Sequence, residues 1–183
     1  MPLSLSETAV LIARALRESD VRAMRKINDR CISETAIKFS HHACLFALIS
    51  YVLSKILAKP RYVKLGASET HFASLQTMLL SCEQMAASAN YSDLLSCQGK
   101  ILATIEKMDE VDRRFVKGIL QKGRLKIAST LYAQGLSLGN AAEMTCTDKR
   151  EVLLYAGQTM MFDRVREKKN ITRRMKELRE IFS

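Results

Sequence analysis

Apolar residues recur along most of this chain at intervals of three and four, the repeat of a helix with one buried face. The first such stripe is Leu5, Ala9, Ile12 and Leu16, opened by Ser4 and Glu7 in the order of a capping box. Ser19 or Asp20 ends that helix and caps the next. The inner face of the second helix reads Val21, Met24, Asn28, Cys31 and Thr35, and its outer face is basic through Arg22, Arg25, Lys26 and Arg30. Residues 43–58 are apolar almost all round, which predicts a buried central helix, closed by Lys59 and Pro60. At 16 residues, with Ser50, Ser54 and Lys55 inside it, the stretch falls short of a membrane span, which needs about 20. Residues 61–67 read as a loop. A helix over 68–89 follows, with Phe72, Leu75, Leu79, Cys82 and Met85 inward, then a turn at 90–92. A shorter helix over 93–107 carries Leu94, Cys97, Ile101, Ile105 and Met108, with Gly99 in its middle.

The second half begins at an acidic cluster, Asp109, Glu110 and Asp112, placed where the macrodipole favours the start of a helix. This divides the chain into a helical bundle over 1–108 and a C-terminal part over 109–183. One long helix is expected over 112–134, with Val116, Ile119, Gly123, Ile127 and Leu131 as its buried stripe. Its segment 113–126 holds six basic residues, Arg113, Arg114, Lys117, Lys122, Arg124 and Lys126, and no acidic one. The chain closes on an amphipathic helix over 171–182, with Ile171, Met175, Leu178 and Phe182 inward and Arg173, Arg174, Lys176 and Arg179 outward. Seven Gly and two Pro are few for a protein of many short strands. The expected class is therefore all-α, with eight or nine helices and no sheet.

One stretch carries more than periodicity. In 138–157, LGNAAEMTCTDKREVLLYAG, a short helix over 138–145 follows Ser137, a residue suited to accept from the free amides of a first helical turn. Ala141 and Ala142 are small enough to let another helix cross closely. Cys146 and Thr147 break the pattern. Asp148 and Glu151 open a second helix, on which Val152 and Tyr155 share a face, and Gly157 supplies a stop. The segment 128–162 resembles the helix-turn-helix of small archaeal antitoxin-type DNA-binding regulators, in which G-x-S-x-x-x-A-A precedes a turn and Y-x-G ends the second helix. The matching residues are Gly135, Ser137, Ala141, Ala142, Tyr155 and Gly157. Cys146 stands where the family usually has Gly, and Thr147 where it usually has an aliphatic residue. The resemblance implies a DNA-binding helix-turn-helix whose second helix enters the major groove.

Charge points the same way. The chain of 183 residues has a formal net charge of +10, which suits a polyanionic partner. Residues 1–108 contribute 13 basic and 9 acidic side chains, and the shorter remainder 16 and 10, so the excess is denser beside the helix-turn-helix stretch. Phosphate contacts are expected from Arg113, Arg114, Lys117, Lys122, Arg124, Lys126, Lys149 and Arg150. The same contacts fit duplex DNA or structured RNA. Six Phe, five Tyr and no Trp argue against a stacking platform for single strands. The competing reading is a non-catalytic interaction or dimerisation module, or a basic protein associated with RNA or the ribosome. Leu153 and Leu154, with Arg173 and Arg174 of the tail, would then face a protein partner or a second copy.

Catalysis is not expected. The sequence contains no phosphate-binding glycine loop, no G-x-S-x-G and no H-E-x-x-H. His41 and Cys44 are three apart on one helix, and two ligands at that spacing do not define a metal site. No metal or other cofactor is expected. The five cysteines, at 31, 44, 82, 97 and 146, form no C-x-x-C and read as reduced thiols. The first ten residues lack the basic start and apolar core of a secretory signal, so the expected location is the cytoplasm, with no membrane partner.

Overall fold

The computed structural model describes residues 4–59, 67–111, 118–164, 175, 179 and 180. Among them are nine helices and no strand: α1 (Leu5–Arg17), α2 (Val21–Lys38), α3 (His41–Leu57), α4 (Ala67–Ala87), α5 (Tyr91–Val111), α6 (Ile119–Ala133), α7 (Leu138–Thr145), α8 (Lys149–Gln158) and α9 (Met161–Arg164). None is long and apolar enough to cross a membrane, among the described residues.

Local signals set most of the starts. Ser4 accepts from the Glu7 amide while the Glu7 carboxylate accepts from the Ser4 amide, which closes a full capping box on α1. Asp20 caps α2, Ser40 caps α3 and Asn90 accepts from the Asp93 amide at the start of α5. The ends are less conventional. Ser19, Phe39, Ala89, Cys146 and Met160 adopt the left-handed conformation that glycine usually supplies after a helix.

The apolar stripes pack as their spacing predicts. α3 is central: it touches α1, α2, α5, α6 and α7, and Phe46, Ala47, Ile49, Val52 and Leu53 are fully buried on it. α1, α2 and α5 pack around α3, and α4 lies against α1 and α5. A single buried cluster joins these helices to Ile119, Ile127, Leu131, Leu136 and Ala141 of the C-terminal half. Its polar members are satisfied. Asn28 donates to the Ala47 carbonyl at 2.8 Å, tying α2 to α3. The fully buried Gln98 meets His42 twice, accepting at its ring at 2.9 Å and donating to its carbonyl at 3.1 Å, tying α5 to α3.

Four expectations are corrected. α5 runs on to Val111, so positions 109 and 110 fall in its last turn and not at the start of the next helix. The following helix begins at Ile119, because Gly118 sits at φ 79 and a left-handed residue cannot continue an α-helix through itself. Gly157 lies inside α8, which ends one residue later and turns at Met160. Of the expected loop at 61–67, residues 61–66 lie outside the described residues and Ala67 already opens α4; most of the tail helix at 171–182 also lies outside them. The described tail residues Met175, Arg179 and Glu180 are helical and exposed, so Met175 does not face inward.

Candidate nucleic-acid interface

α6, α7 and α8 pack mutually and form a small unit on the flank of α3. A satellite cluster holds it together: Ala128 of α6, Ala142 of α7 and Val152 of α8 are buried against one another, with Leu125 and Leu138 at the edge. Alanine at 128 and 142 lets the three helices meet closely. The unit is seated on the body where α6 crosses α3 at Gly123. A Cβ at that position would stand 2.8 Å from Leu48 Cδ1 and 3.0 Å from Tyr51 Cδ1, so any larger residue forces one of these side chains to move.

The connection between α7 and α8 is short and fully bonded. Ser137 caps α7 by accepting from the Asn140 amide at 3.1 Å. At the other end the Thr147 amide reaches the Ala142 carbonyl at 2.9 Å and the Cys146 amide the Glu143 carbonyl at 3.1 Å, with Cys146 at φ 53. These two bonds around a left-handed residue are a Schellman ending. Asp148 then caps α8, accepting from the Arg150 and Glu151 amides at 2.8 and 3.3 Å. The Glu151 carboxylate does not close a capping box and instead accepts from the Gln121 side chain at 3.0 Å, pinning α8 to α6.

This packing fixes which face of α8 turns outward. Val152 and Ala156 are buried and Tyr155 is half-buried. Lys149 and Arg150 are exposed in the first turn, and Leu153 and Leu154 follow them on the same side at 46% and 64% exposure. The Lys149 ammonium also lies along the start of α7, 3.8 Å from where a Cβ of Gly139 would stand.

The eight expected phosphate-contacting cations divide into three groups. Lys122, Lys149 and Arg150 are exposed. Arg124 and Lys126 are half-buried and engaged with the protein: Arg124 donates to the Thr145 carbonyl at 3.2 Å, at the end of α7, and Lys126 sits 4.9 Å from the centre of the Tyr51 ring. A cation on the last carbonyls of a helix offsets the negative end of its dipole, so Arg124 holds α7 in place. Arg113, Arg114 and Lys117 lie outside the described residues, as do Arg173 and Arg174 of the tail. The roles of Gln121 and Arg124 as pins had no sequence signal, since both bonds join positions 21 or more residues apart.

Chemistry elsewhere is sparse. His41 and Cys44 line a cavity of about 70 Å³ at the seam between α3 and α7, shared with Arg124, Met144, Thr145 and Cys146. The Cys44 thiol points to the Met144 carbonyl at 3.6 Å, and burial pushes it up to about 12. Among the described residues no group of three or more His, Cys, Asp or Glu side chains is placed to hold a metal ion. No family model matches this chain, and no curated protein or solved structure matches it.

Proposed function

We propose that α6, α7 and α8 form a helix-turn-helix unit that binds duplex DNA, with α8 as the helix that enters the major groove. The observation that carries this reading is the outward face of α8. Lys149 and Arg150 stand free in its first turn while its opposite face is locked by Val152, Ala156 and the Gln121–Glu151 bond. In such units the first residues of the second helix reach the base edges, and nearby cations hold the phosphates. Arg150 has the forked donor that suits guanine, and exposed aliphatic side chains such as Leu153 and Leu154 suit the methyl group of thymine. Lys122 on α6 adds a phosphate-binding charge. The fixed three-residue connection at 146–148 supports the reading, because a reading helix must be rigidly held.

A second reading rests on a specific observation. Leu153 and Leu154 are exposed at 46% and 64%, and Met160 and Phe162 further along at 68% and 53%. Exposed apolar side chains of this size also mark surfaces that meet another protein chain or a second copy. Binding to a fluorescent duplex, together with sedimentation of the free protein, separates the two. Under the DNA reading, Lys149→Gln with Arg150→Gln weakens duplex binding and leaves the sedimentation coefficient unchanged. If Leu153→Ala with Leu154→Ala leaves duplex binding intact but dissolves a self-associated species, the surface is an interaction module.

A further inference from the structure

We infer that Cys82 and Cys97 are a dithiol built to close into a disulfide, a reversible staple between α4 and α5. The two helices form an antiparallel hairpin turned at Ala89, which is left-handed and bonded to the Ala86 carbonyl. Cys82 lies five residues before the end of α4 and Cys97 six after the start of α5, so the hairpin brings them opposite one another. Their sulfurs stand 2.8 Å apart, against about 2.05 Å for the S–S bond itself. Closing the bond takes a shift that side-chain rotation can supply. Cys97 also donates to the Met78 carbonyl at 3.2 Å, so each thiol proton already has an acceptor.

The pair is asymmetric in access. Cys82 is fully buried, whereas Cys97, buried at 6% exposure, borders an open groove of about 230 Å³ shared with Met78, Ser81, Met85, Asp93, Ser96 and Lys100. A hydroperoxide fits this space, which borders Cys97 and not Cys82. Burial, and next the hydrogen bond and charge of Cys97, push the Cys82 thiol well above its ordinary range. The Cys97 thiolate attacks one oxygen of hydrogen peroxide, the O–O bond breaks, and a sulfenic acid and hydroxide result. The hydroxide takes the proton that Cys97 released and leaves as water. The Cys82 sulfur then attacks the Cys97 sulfur, the S–OH bond breaks, and the departing hydroxide carries off the Cys82 proton as a second water. Two thiols lose two electrons, and one peroxide becomes two waters.

The test uses the full chain. No Lys or Arg lies between Lys64 and Lys100, so both cysteines fall in one tryptic peptide, 65–100. After treatment with a small excess of hydrogen peroxide and alkylation of remaining thiols, that peptide is expected to lack both alkyl groups and two hydrogens, and to regain both groups after dithiothreitol. The Cys146→Ser variant, which removes the exposed thiol, gives the same result. The oxidised protein melts roughly 6–12 °C higher than the reduced one, the shift for closing a loop of this length in a chain of this size. Cys82→Ser and Cys97→Ser abolish that shift. A peptide 65–100 that stays doubly alkylated under conditions that oxidise Cys146, or that gains oxygen on Cys97 while Cys82 remains alkylated, overturns the inference.

Discussion

Two glycine-to-alanine changes test how the C-terminal unit is seated. Gly99 lies mid-way along α5 with nothing within 4 Å of the position a Cβ would take, and Gly123 lies in α6 facing Leu48 Cδ1 at 2.8 Å and Tyr51 Cδ1 at 3.0 Å. Each substitution gains the same helix propensity, about 1 kcal/mol. At Gly99 nothing opposes that gain, so Gly99→Ala stabilises by about 1 kcal/mol. At Gly123 the methyl group must displace Leu48, which is 4% exposed in the core, or the Tyr51 ring, which Lys126 and Lys55 flank at 4.9 and 5.4 Å. Overpacking of that kind costs about 1–3 kcal/mol. Propensity cancels in the comparison, so the two variants differ by the packing cost alone, a separation in melting temperature of roughly 2–12 °C. Thermal or urea denaturation of the pair reads it directly. Equal stabilisation by both changes would refute the close crossing of α3 and α6, and with it the placement of the α6–α8 unit.

Replacing Cys146 by Gly removes the strain of a left-handed non-glycine residue, about 1–2 kcal/mol, against about 0.5–1 kcal/mol of added unfolded-state entropy. A net gain of up to about 1.5 kcal/mol is expected, and a loss on denaturation would show that the Cys146 side chain has a packing role that its exposure does not suggest. Stability is also expected to fall in alkaline solution. Burial pushes Cys31 and Cys44 up to about 12 from 9.0, so above pH 9 the unfolded chain loses thiol protons that the folded chain keeps. The stability these thiols contribute is fully present below that pH and is lost towards pH 12. A melting curve of wild type against Cys31→Ala with Cys44→Ala, compared across this range, shows a shallower decline in the variant; parallel declines would contradict the assignment.

The helices and their buried faces were legible because each stripe repeats within one turn. Leu94, Cys97, Ile101, Ile105 and Met108 are all buried, as their spacing requires. The starts at Ser4, Asp20, Ser137 and Asp148 were legible from side chains that cap their own helix. Ends were harder. Glycine marks a left-handed turn in sequence, but here Ser19, Phe39, Ala89, Cys146 and Met160 occupy such turns, while Gly157 sits inside a helix. Gly118 is the reverse case, a residue read as helical that is left-handed. Within the candidate site the capped helices on either side of the 146–148 connection and the exposed Lys149 and Arg150 followed from local rules. The engagement of Arg124 with Thr145 and of Lys126 with Tyr51 did not, because the partners lie on other helices. A basic run in the sequence therefore overstates the charge that is free to meet phosphate.

The proposed function stands or falls on the salt dependence of duplex binding. Fluorescence anisotropy with a labelled DNA duplex, titrated from about 50 to 200 mM salt, measures it, because each neutralised phosphate releases condensed counterion. The three exposed cations Lys122, Lys149 and Arg150 set a log–log slope of about −3 or steeper for the wild type. Lys149→Gln with Arg150→Gln is expected to flatten that slope by about two and to erase preference among duplex sequences. No measurable binding at about 50 mM salt, or a slope that the double variant leaves unchanged, would contradict the assignment of α8 as a DNA-reading helix.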